Sequence, residues 1–471
     1  MSEGRRRMGR SILKRALIGL LVLGVCYTGI SIYASVRLNR ELSPLKARGK
    51  AVTLPLPRGI QLADHENAAP LYAAAAGWAK MHRFPGGWDP AARPSGAGAW
   101  KYGYDDLDDQ WPGDIEPEVL DCLEQLVALD EPALELIRDA ACRPHCAFDH
   151  PWLPLMRVRH PMALHDVDHL IHFLVANSLV AARAGDQRRA LECLRLGFVL
   201  GRHTAEEPME IAQSRAITSA TRVMVSTSAW VIPSLRIDEA DARALADEIS
   251  RLDMAQSYAL TLDHSRSVGL FMFESVRHEL RSSRVVTRDA PGLWRLYAGP
   301  LRPLMHLDEV AYLKRVGALE MLLAESPRER ALRWRDVPSW STELRKARWA
   351  PLTHEHRVPP RAVGVRRQDC ADVSHDLLRV VLGLQVYWQQ HGSFPMELDD
   401  LRASGWDVPK DRFSEEELIY RPESDTFTLY SVGPNLVDDG GRPGYWPYDG
   451  PYGDPIADKL ESDIVWKWAE G

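Results

Sequence analysis

The chain has 471 residues, of which 45% are hydrophobic and 26% charged, and its formal net charge is −7. These values are ordinary for folded proteins, which excludes a disordered, a collagen-like and a wholly membrane-embedded chain. Single hydrophobic cores stop growing at roughly 250–300 residues, so at least two domains are expected. Six cysteines spread over this length exclude a disulfide-dense scaffold.

The first segment predicts a membrane anchor. Residues 1–15, a basic tail, have a net charge of +5, and residues 16–36 contain no charged side chain. As a helix rising ~1.5 Å per residue, this uncharged run just spans the ~30 Å hydrocarbon core of a bilayer. The basic residues before it predict a cytoplasmic N-terminus, and thus a single-pass protein of the bacterial inner membrane with its bulk extracytoplasmic.

Two alternatives to an anchor remain at this segment. A cleaved signal peptide usually has an apolar core of only ~7–15 residues and a small-x-small cleavage site. Ile32-Tyr33-Ala34 matches such a site poorly. A buried helix of a soluble protein is the other alternative, although an uncharged run beside six basic residues is unusual for one.

The rest of the chain divides by charge and hydrophobic spacing. Between Leu62 and Ser326 apolar positions mostly recur every three or four residues, which predicts an all-α domain of helical hairpins over residues 37–327, arranged as a short solenoid. The clearest hairpin covers 162–204 and turns at Gly185-Asp186, where glycine suits the backbone. Further helices are predicted at 209–232, 239–252, 254–285 and 304–325.

Two further segments follow that domain. Residues 328–367 contain four prolines and have a net charge of +7, which indicates a linker. Residues 368–471 have a net charge of −13 and combine a helix at 373–390 and a short capped turn of helix at 396–401 with strands at 418–421 and 426–432. This pattern predicts a small α+β domain, so the expected fold class is mostly α with one small sheet.

Several motifs of the last segment occur in a characteristic order. They are His391-Gly392-Ser393-Phe394-Pro395, Phe427-Thr428-Leu429-Tyr430-Ser431-Val432-Gly433, Asp438-Asp439-Gly440-Gly441 and Asp463-Ile464-Val465-Trp466. Their order and spacing resemble the globular domain of the major pseudopilins of type II secretion systems. Pseudopilins begin with a processing site, Gly followed by Phe and by Glu at the fifth position, and no such element precedes residue 16. We therefore interpret the C-terminal segment as a borrowed domain and not as a pilus subunit.

The pseudopilin resemblance implies a calcium site. Asp438 or Asp439 would supply the first acidic ligand and Asp463 the second. Ca²⁺ takes 6–8 oxygen ligands, and a glycine-rich acidic loop offers carboxylates together with accessible carbonyls. The alternative is that these acidic residues only solvate a surface loop.

The helical part carries a second resemblance, in three pieces. These are Glu66-Asn67-Ala68-Ala69-Pro70-Leu71-Tyr72, Cys146-Ala147-Phe148-Asp149 and the Gly185-Asp186 turn. Together they look like a functionally uncharacterised set of bacterial signal-anchored proteins, which often end in a pseudopilin-like tail. This resemblance implies an architecture and no activity.

Three histidines on one predicted helix face are candidate metal ligands. His165, His169 and His172 stand at i, i+4 and i+7, with Asp168 between them. Two histidines four residues apart can share a metal, so a metal-dependent hydrolase is one alternative function. However, no Glu follows the first histidine as in the zinc-protease motif, and the three histidines flank the apolar stripe. A half-buried, hydrogen-bonded role is therefore favoured.

Cys142 and Cys146 are close enough in the chain to form a disulfide in an oxidising compartment. Zinc binding with His145, Asp149 and His150 is the alternative, but zinc sites with such a cysteine pair normally have a second pair. The sequence favours a local disulfide or plain burial.

The sequence lacks Gly-x-Ser-x-Gly, Gly-x-Gly-x-x-Gly and phosphate-loop motifs. It therefore favours a non-catalytic interaction or scaffolding role at the cell envelope, with an envelope protein as partner and calcium as the expected cofactor. The basic linker with its three tryptophans is interpreted as solvated, and no nucleic-acid partner is expected outside the cytoplasm. A third function, glycan binding, would use stacking on an aromatic cluster, which could equally pack over the small sheet. The cluster consists of Tyr445, Trp446, Pro447, Tyr448 and Tyr452.

Overall fold

The computed structural model describes residues 2–49, 62–83, 117–148, 162–207, 231–282, 301–336, 362–423, 425–442 and 463–467. This part of the chain is mostly helical, with a small three-stranded sheet and one apolar N-terminal helix, which confirms the expected fold class at that level. The chain divides into two compact units. Unit 1 comprises Met1–Leu56, Asp263–Leu319 and Pro338–Pro360; unit 2 comprises Pro57–Leu262, Glu320–Val337 and Arg361–Gly471.

The helices and strands are numbered in chain order. The helices are α1 (Ser2–Ala47), α2 (Ala69–Arg83), α3 (Pro117–Leu129), α4 (Glu131–Ala141), α5 (Met162–Arg183), α6 (Gln187–Ala205), α7 (Glu239–Ser250), α8 (Met254–Ser282), α9 (Arg302–Leu323), α10 (Pro327–Asp336), α11 (Ala362–His391) and α12 (Leu398–Ala403). The strands are β1 (Ile419–Pro422), β2 (Phe427–Ser431) and β3 (Ile464–Lys467). The predicted helix at 209–232 lies almost wholly outside the described residues.

Unit 1 is built on the C-terminal half of α1. A buried cluster joins it to α8 and α9, and Tyr312 belongs to this cluster and donates its hydroxyl hydrogen to the carbonyl of Ser265. Tyr312 fits because Gly269 has no side chain: a Cβ there would lie 2.2 Å from the Tyr312 ring. The cluster consists of Leu38, Leu45, Leu270, Phe273, Met305, Val310, Tyr312, Leu313 and Val316.

The N-terminal part of α1 has a different surface. The segment Lys14–Ala47 is a helix long and apolar enough to cross a membrane, by length and composition, and its most apolar stretch is not buried. A signal sequence near an N-terminus meets the same criterion. The structure therefore establishes one long apolar N-terminal helix.

Unit 2 contains the predicted hairpin. Helices α5 and α6 are joined by a turn in which Gly185 has φ +76°, a conformation that favours glycine, and Asp186 caps α6 by accepting from the amide of Arg189 (3.0 Å). Apolar residues of this hairpin, of α2 to α4, of α11 and of the sheet form one continuous buried cluster. The prediction of a hairpin at 162–204 is confirmed.

The C-terminal residues of unit 2 form α11 and an antiparallel sheet of order β1-β2-β3. Its register pairs Ile419 with Tyr430 and Ser431 with Ile464. The predicted strands and the capped turn at α12 are confirmed, and β3 extends the sheet by one strand. Both ends of the predicted linker are helical, in α10 and in the first residues of α11; residues 337–361 lie outside the described part. The domain boundaries themselves stay a prediction.

Candidate functional site

Two motifs of the helical part meet the C-terminal end of α6 in unit 2. The segments 66–72 and 146–149 were singled out by sequence, and the structure packs the first and the described part of the second, up to Phe148, against residues that follow Arg202. We call this cluster of buried and half-buried polar groups the Tyr72–His203 junction. It consists of Asn67, Tyr72, Cys146, His203, Glu206 and Glu207.

Asn67 joins the two motifs. Its side-chain oxygen accepts from the amides of Ala69 (3.1 Å) and Ala147 (2.9 Å), and its amide donates to the carbonyl of Ala147 (3.0 Å). Main-chain bonds flank this contact, because Ala68 donates to the carbonyl of His145 (2.9 Å). Asparagine forms such local turns readily, and here the same side chain also starts α2.

His203 and Tyr72 form a buried pair. Nδ1 of His203 and the Tyr72 hydroxyl lie 2.9 Å apart, and both side chains are almost wholly inaccessible. Burial and the charge of Arg202 lower the pKa of His203 to about 4, although the main-chain carbonyl of Arg143 acts in the opposite direction. Burial also raises the pKa of Tyr72 well above its usual value, so both groups are neutral near pH 7.

The two glutamates at the end of α6 accept hydrogen bonds from main-chain amides. Oε2 of Glu206 accepts from the amide of Cys146 (3.2 Å), and Oε1 of Glu207 accepts from the amide of Phe148 (2.5 Å). Burial, followed by the charges of these two glutamates, raises the pKa of the Cys146 thiol far above its usual value. A thiol in that state is not a nucleophile, since reactivity requires the thiolate.

The chemistry of the junction follows from these bonds. Its histidine is neutral, its thiol and phenol keep their protons, and its carboxylates bind main-chain amides. Such groups fix the path of the chain, and each unmade bond here would cost about 1–3 kcal/mol. We interpret the junction as a clamp that holds the two loops on the helical hairpin.

A second buried polar cluster lies on α11, and the sequence analysis missed it. Asp369, Asp372 and Asp376 follow one another along the helix and face two arginines. Arg330 binds Asp369 through two hydrogen bonds (2.9 and 2.5 Å). Arg412 binds Asp376 (2.6 Å) and lies 3.4 Å from Asp372. Burial raises the pKa of Asp372 to about 7; the nearby arginine opposes this and the neighbouring aspartates reinforce it.

The three histidines of α5 do not form a described metal site. The side chain of His165 lies outside the described residues, His169 is half-buried and His172 is buried. Among the described side chains, no three histidines, cysteines or carboxylates are placed to hold a metal ion. Metal binding by this helix face stays a prediction.

The three aspartates of the expected calcium loop lie near one another, with their oxygens engaged by the loop itself. Asp463 accepts from the amides of Asp439 (3.2 Å) and Gly441 (2.7 Å). Asp438 accepts from the amide of Gly440 (2.8 Å) and from the hydroxyl of Tyr430 (2.9 Å), and these two bonds, the first more than the second, lower the pKa of Asp438. Carboxylates bonded in this way shape a turn. The expected cofactor therefore stays a prediction.

The structure describes only part of the remaining predicted sites. Cys142 and Cys146 are free cysteines, the first exposed at the end of α4 and the second buried, so they point into different surroundings. Their pairing stays a prediction. The aromatic cluster between 445 and 452 lies outside the described residues.

Comparison of the chain with protein-family models, curated proteins and solved structures gives no match. The functional argument therefore rests on the residues themselves.

Proposed function

We propose that the chain is a single-pass, membrane-anchored protein of the bacterial envelope, with its bulk outside the cytoplasm and a non-catalytic scaffolding or interaction role. The observation that carries the proposal is the division of α1 into an uncovered apolar half and a half that packs into unit 1. An anchor bound rigidly to a folded unit positions that unit at a membrane surface.

The uncovered half of α1 favours lipid as its surroundings. All described side chains from Lys14 to Ile30 are exposed, including Leu20 (67%) and Leu21 (70%). Fully burying one such leucine is worth about 1.5–3 kcal/mol, so a row of them in water is costly. The basic residues before the run favour an N-terminus in the cytoplasm.

The use of buried carboxylates supports a scaffolding role. Asp411 accepts from the amide of Val432 (3.2 Å) and the hydroxyl of Ser431 (2.6 Å), which fixes the end of β2. Glu206 and Glu207 hold a loop in the same way. Acidic side chains that accept hydrogen bonds from main-chain amides stabilise the loops between helices. Stacked helical hairpins with ordered loops commonly present a binding surface.

The finer architecture belongs to the same proposal. We assign residues 37–327 to an exported all-α domain and residues 368–471 to a pseudopilin-like α+β domain, which points to a role related to secretion. The packing of α11 on a short antiparallel sheet supports the second assignment. Metal-dependent hydrolysis and glycan binding remain the alternative functions, and no described contact favours either.

Cysteine labelling tests the location. In the full chain carrying Cys26→Ser and Cys122→Ser, Cys142 is the exposed thiol, whereas Cys146, Cys193 and Cys370 are buried. We expect a membrane-impermeant maleimide to label Cys142 in intact spheroplasts, with no labelling after Cys142→Ser. Labelling that requires permeabilised membranes would contradict the proposed location.

A partner assay tests the role. The full chain, extracted in a mild detergent after crosslinking in cells, should run as a discrete complex larger than the chain alone. Recovery of the uncomplexed chain under several crosslinkers would count against a scaffold. Stoichiometric zinc that is lost on His169→Ala would favour the hydrolase instead.

A further inference from the structure

The continuously exposed part of α1 is shorter than a bilayer. Its uncharged run begins at residue 16, and Ser31 is the first residue of that run that is partly buried, while Ile32, Tyr33 and Val36 are exposed on one side of the following turns. Residues 16–30 rise only ~22 Å as a helix, against a hydrocarbon core of ~30 Å. Under the proposed function, residues 31–36 must therefore complete the crossing, together with whatever part of unit 1 lies beside them.

The element beside these residues is the N-terminal part of α9. Ser35 Oγ and His306 Nδ1 are 3.4 Å apart, and farther along both helices Glu41 and Lys314 approach to 3.9 Å. Both contacts move toward higher residue numbers on α1 and on α9, so the two helices run parallel. One turn before His306, the main chain of Arg302 lies ~6 Å deeper in the membrane, at about the level of Ser31, and its side chain reaches back toward His306.

The side chains at this level suit a lipid interface. Leu301 is 40% exposed, Arg302 is exposed, and Arg302 Nε donates to Nε2 of His306 (3.4 Å). On α1 the guanidinium of Arg37 lies over the ring of Tyr33, 5.6 Å from its centroid. Aromatic rings and long cationic side chains beside an apolar helix are typical of the headgroup layer.

We propose that the side chains of Arg302 and His306, with Tyr33 and Arg37, form a surface in the headgroup layer of the leaflet where α1 emerges and bind the phosphates of anionic phospholipids, while Leu301 lies just below them in the outer hydrocarbon. The Arg302 guanidinium reaches this layer because its Nε lies against His306, which contacts Ser35. The inference rests on the proposed function, because it needs α1 to cross a bilayer. Lipid is the occupant that the geometry favours, since this surface continues the uncovered apolar face of α1 and its guanidinium groups complement phosphate.

Depth measurements test the placement. The full chain, with Cys26, Cys122 and Cys142 changed to Ser, is labelled with an environment-sensitive fluorophore at Ile18→Cys, Leu301→Cys or Lys314→Cys and reconstituted into phosphatidylcholine nanodiscs with 30% phosphatidylglycerol. We expect spin-labelled lipid to quench the probes at 18 and 301. The probe at 314 should stay unquenched, because it lies ~20 Å farther along the same helix.

The outcomes separate the two proposals. Quenching at 18 without quenching at 301 would overturn the inference and leave the anchor intact. No quenching at 18 would overturn the proposed membrane crossing and this inference with it.

A charge variant tests phosphate binding. We expect quenching at 301 to rise at least twofold when phosphatidylglycerol is added to pure phosphatidylcholine, and Arg302→Gln to abolish that rise. Arg328→Gln removes an exposed arginine elsewhere and should leave the rise unchanged. An unchanged rise in Arg302→Gln would overturn the assignment of anionic lipid to this surface.

Discussion

The hydroxyl of Tyr72 gives His203 a hydrogen bond inside the core of unit 2, where water does not replace it. The two residues are 131 positions apart. Removing the hydroxyl would leave Nδ1 of the imidazole without this bond. The pair is therefore a sensitive point of the clamp that holds the 66–72 and 145–148 loops.

We predict that Tyr72→Phe destabilises the chain by about 1–3 kcal/mol, the cost of leaving a buried polar group unpaired. The measurement is thermal or denaturant unfolding of the full chain in detergent. Tyr387→Phe is the control, since Tyr387 is half-buried and stacks on His391, and its effect should stay within about 0.5 kcal/mol. Equal effects of the two substitutions would refute the role given to the pair.

Asp372 makes the stability of the chain depend on pH. Burial raises its pKa from the usual 3.8 to about 7, so between these values the folded state keeps a proton that the unfolded state releases. Its contribution is complete below pH ~4 and is lost as the pH rises through ~7. The charged groups facing it are Arg412, which opposes the shift, and Asp253, Asp369 and Asp376, which reinforce it.

We predict that the free energy of unfolding of Asp372→Asn, relative to that of the unmodified chain, is higher at pH 8 than at pH 5 by about 2–3 kcal/mol, because the amide cannot lose a proton. The buried histidines titrate in both proteins, so their effects cancel in this difference. Unfolding curves at the two pH values give the result. A difference that stays constant, as expected for the exposed control Asp247→Asn, would show that Asp372 is not protonated in the folded chain.

Some of these residues could be identified from sequence patterns. The sequence singled out the 66–72 and 146–149 motifs and three aspartates of the C-terminal loop, which follow local patterns. It missed Tyr72–His203 because the pairing depends on how distant helices pack. It missed the aspartates of α11 because acidic residues in a helix normally predict an exposed face, whereas Arg330 and Arg412 neutralise them here.

At the scale of elements, the contact between α8 and α9 depends on one glycine. A Cβ at Gly269 would lie 2.2 Å from Cζ and 2.5 Å from the hydroxyl of Tyr312, and Tyr312 also bonds the carbonyl of Ser265. Because the ring is buried in the unit 1 cluster, neither partner has room to move freely.

We predict that Gly269→Ala destabilises unit 1 by at least about 1–3 kcal/mol, the usual cost of overpacking a core. Gly317→Ala on α9 is the matched control. Nothing lies within 4 Å of its Cβ position, and a gain of up to about 1 kcal/mol is expected from helix propensity. Unfolding of both variants in detergent provides the comparison. Similar stabilities would contradict the described packing of Tyr312.

The elements themselves were largely predictable where hydrophobic spacing is regular. The α5–α6 hairpin, helices α7 to α9 and the first two strands follow from their spacing and turn residues. The start of α11 does not, since it begins eleven residues before the predicted helix. Its first turns contain polar residues that are buried, among them Gln368, Asp369 and Ser374, so they hide the amphipathic period.

At the scale of the whole molecule, the two compact units interleave along the chain. Unit 1 combines Met1–Leu56, Asp263–Leu319 and Pro338–Pro360, and unit 2 combines the three segments that follow each of them. Local patterns carry no signal for such an arrangement, because it depends on which distant helices share a core. The sequence did indicate the apolar N-terminal helix, since an uncharged run after a basic cluster is a local feature.

A topology fusion tests the proposed anchor most directly. Alkaline phosphatase is attached after Gly471 of the full chain, and a matched fusion lacks residues 2–36. The account predicts an active enzyme in the membrane fraction for the full chain and an inactive cytosolic enzyme for the truncated one, because this phosphatase matures only outside the cytoplasm. An inactive, cytosolic phosphatase on the full chain would contradict the proposed crossing and location.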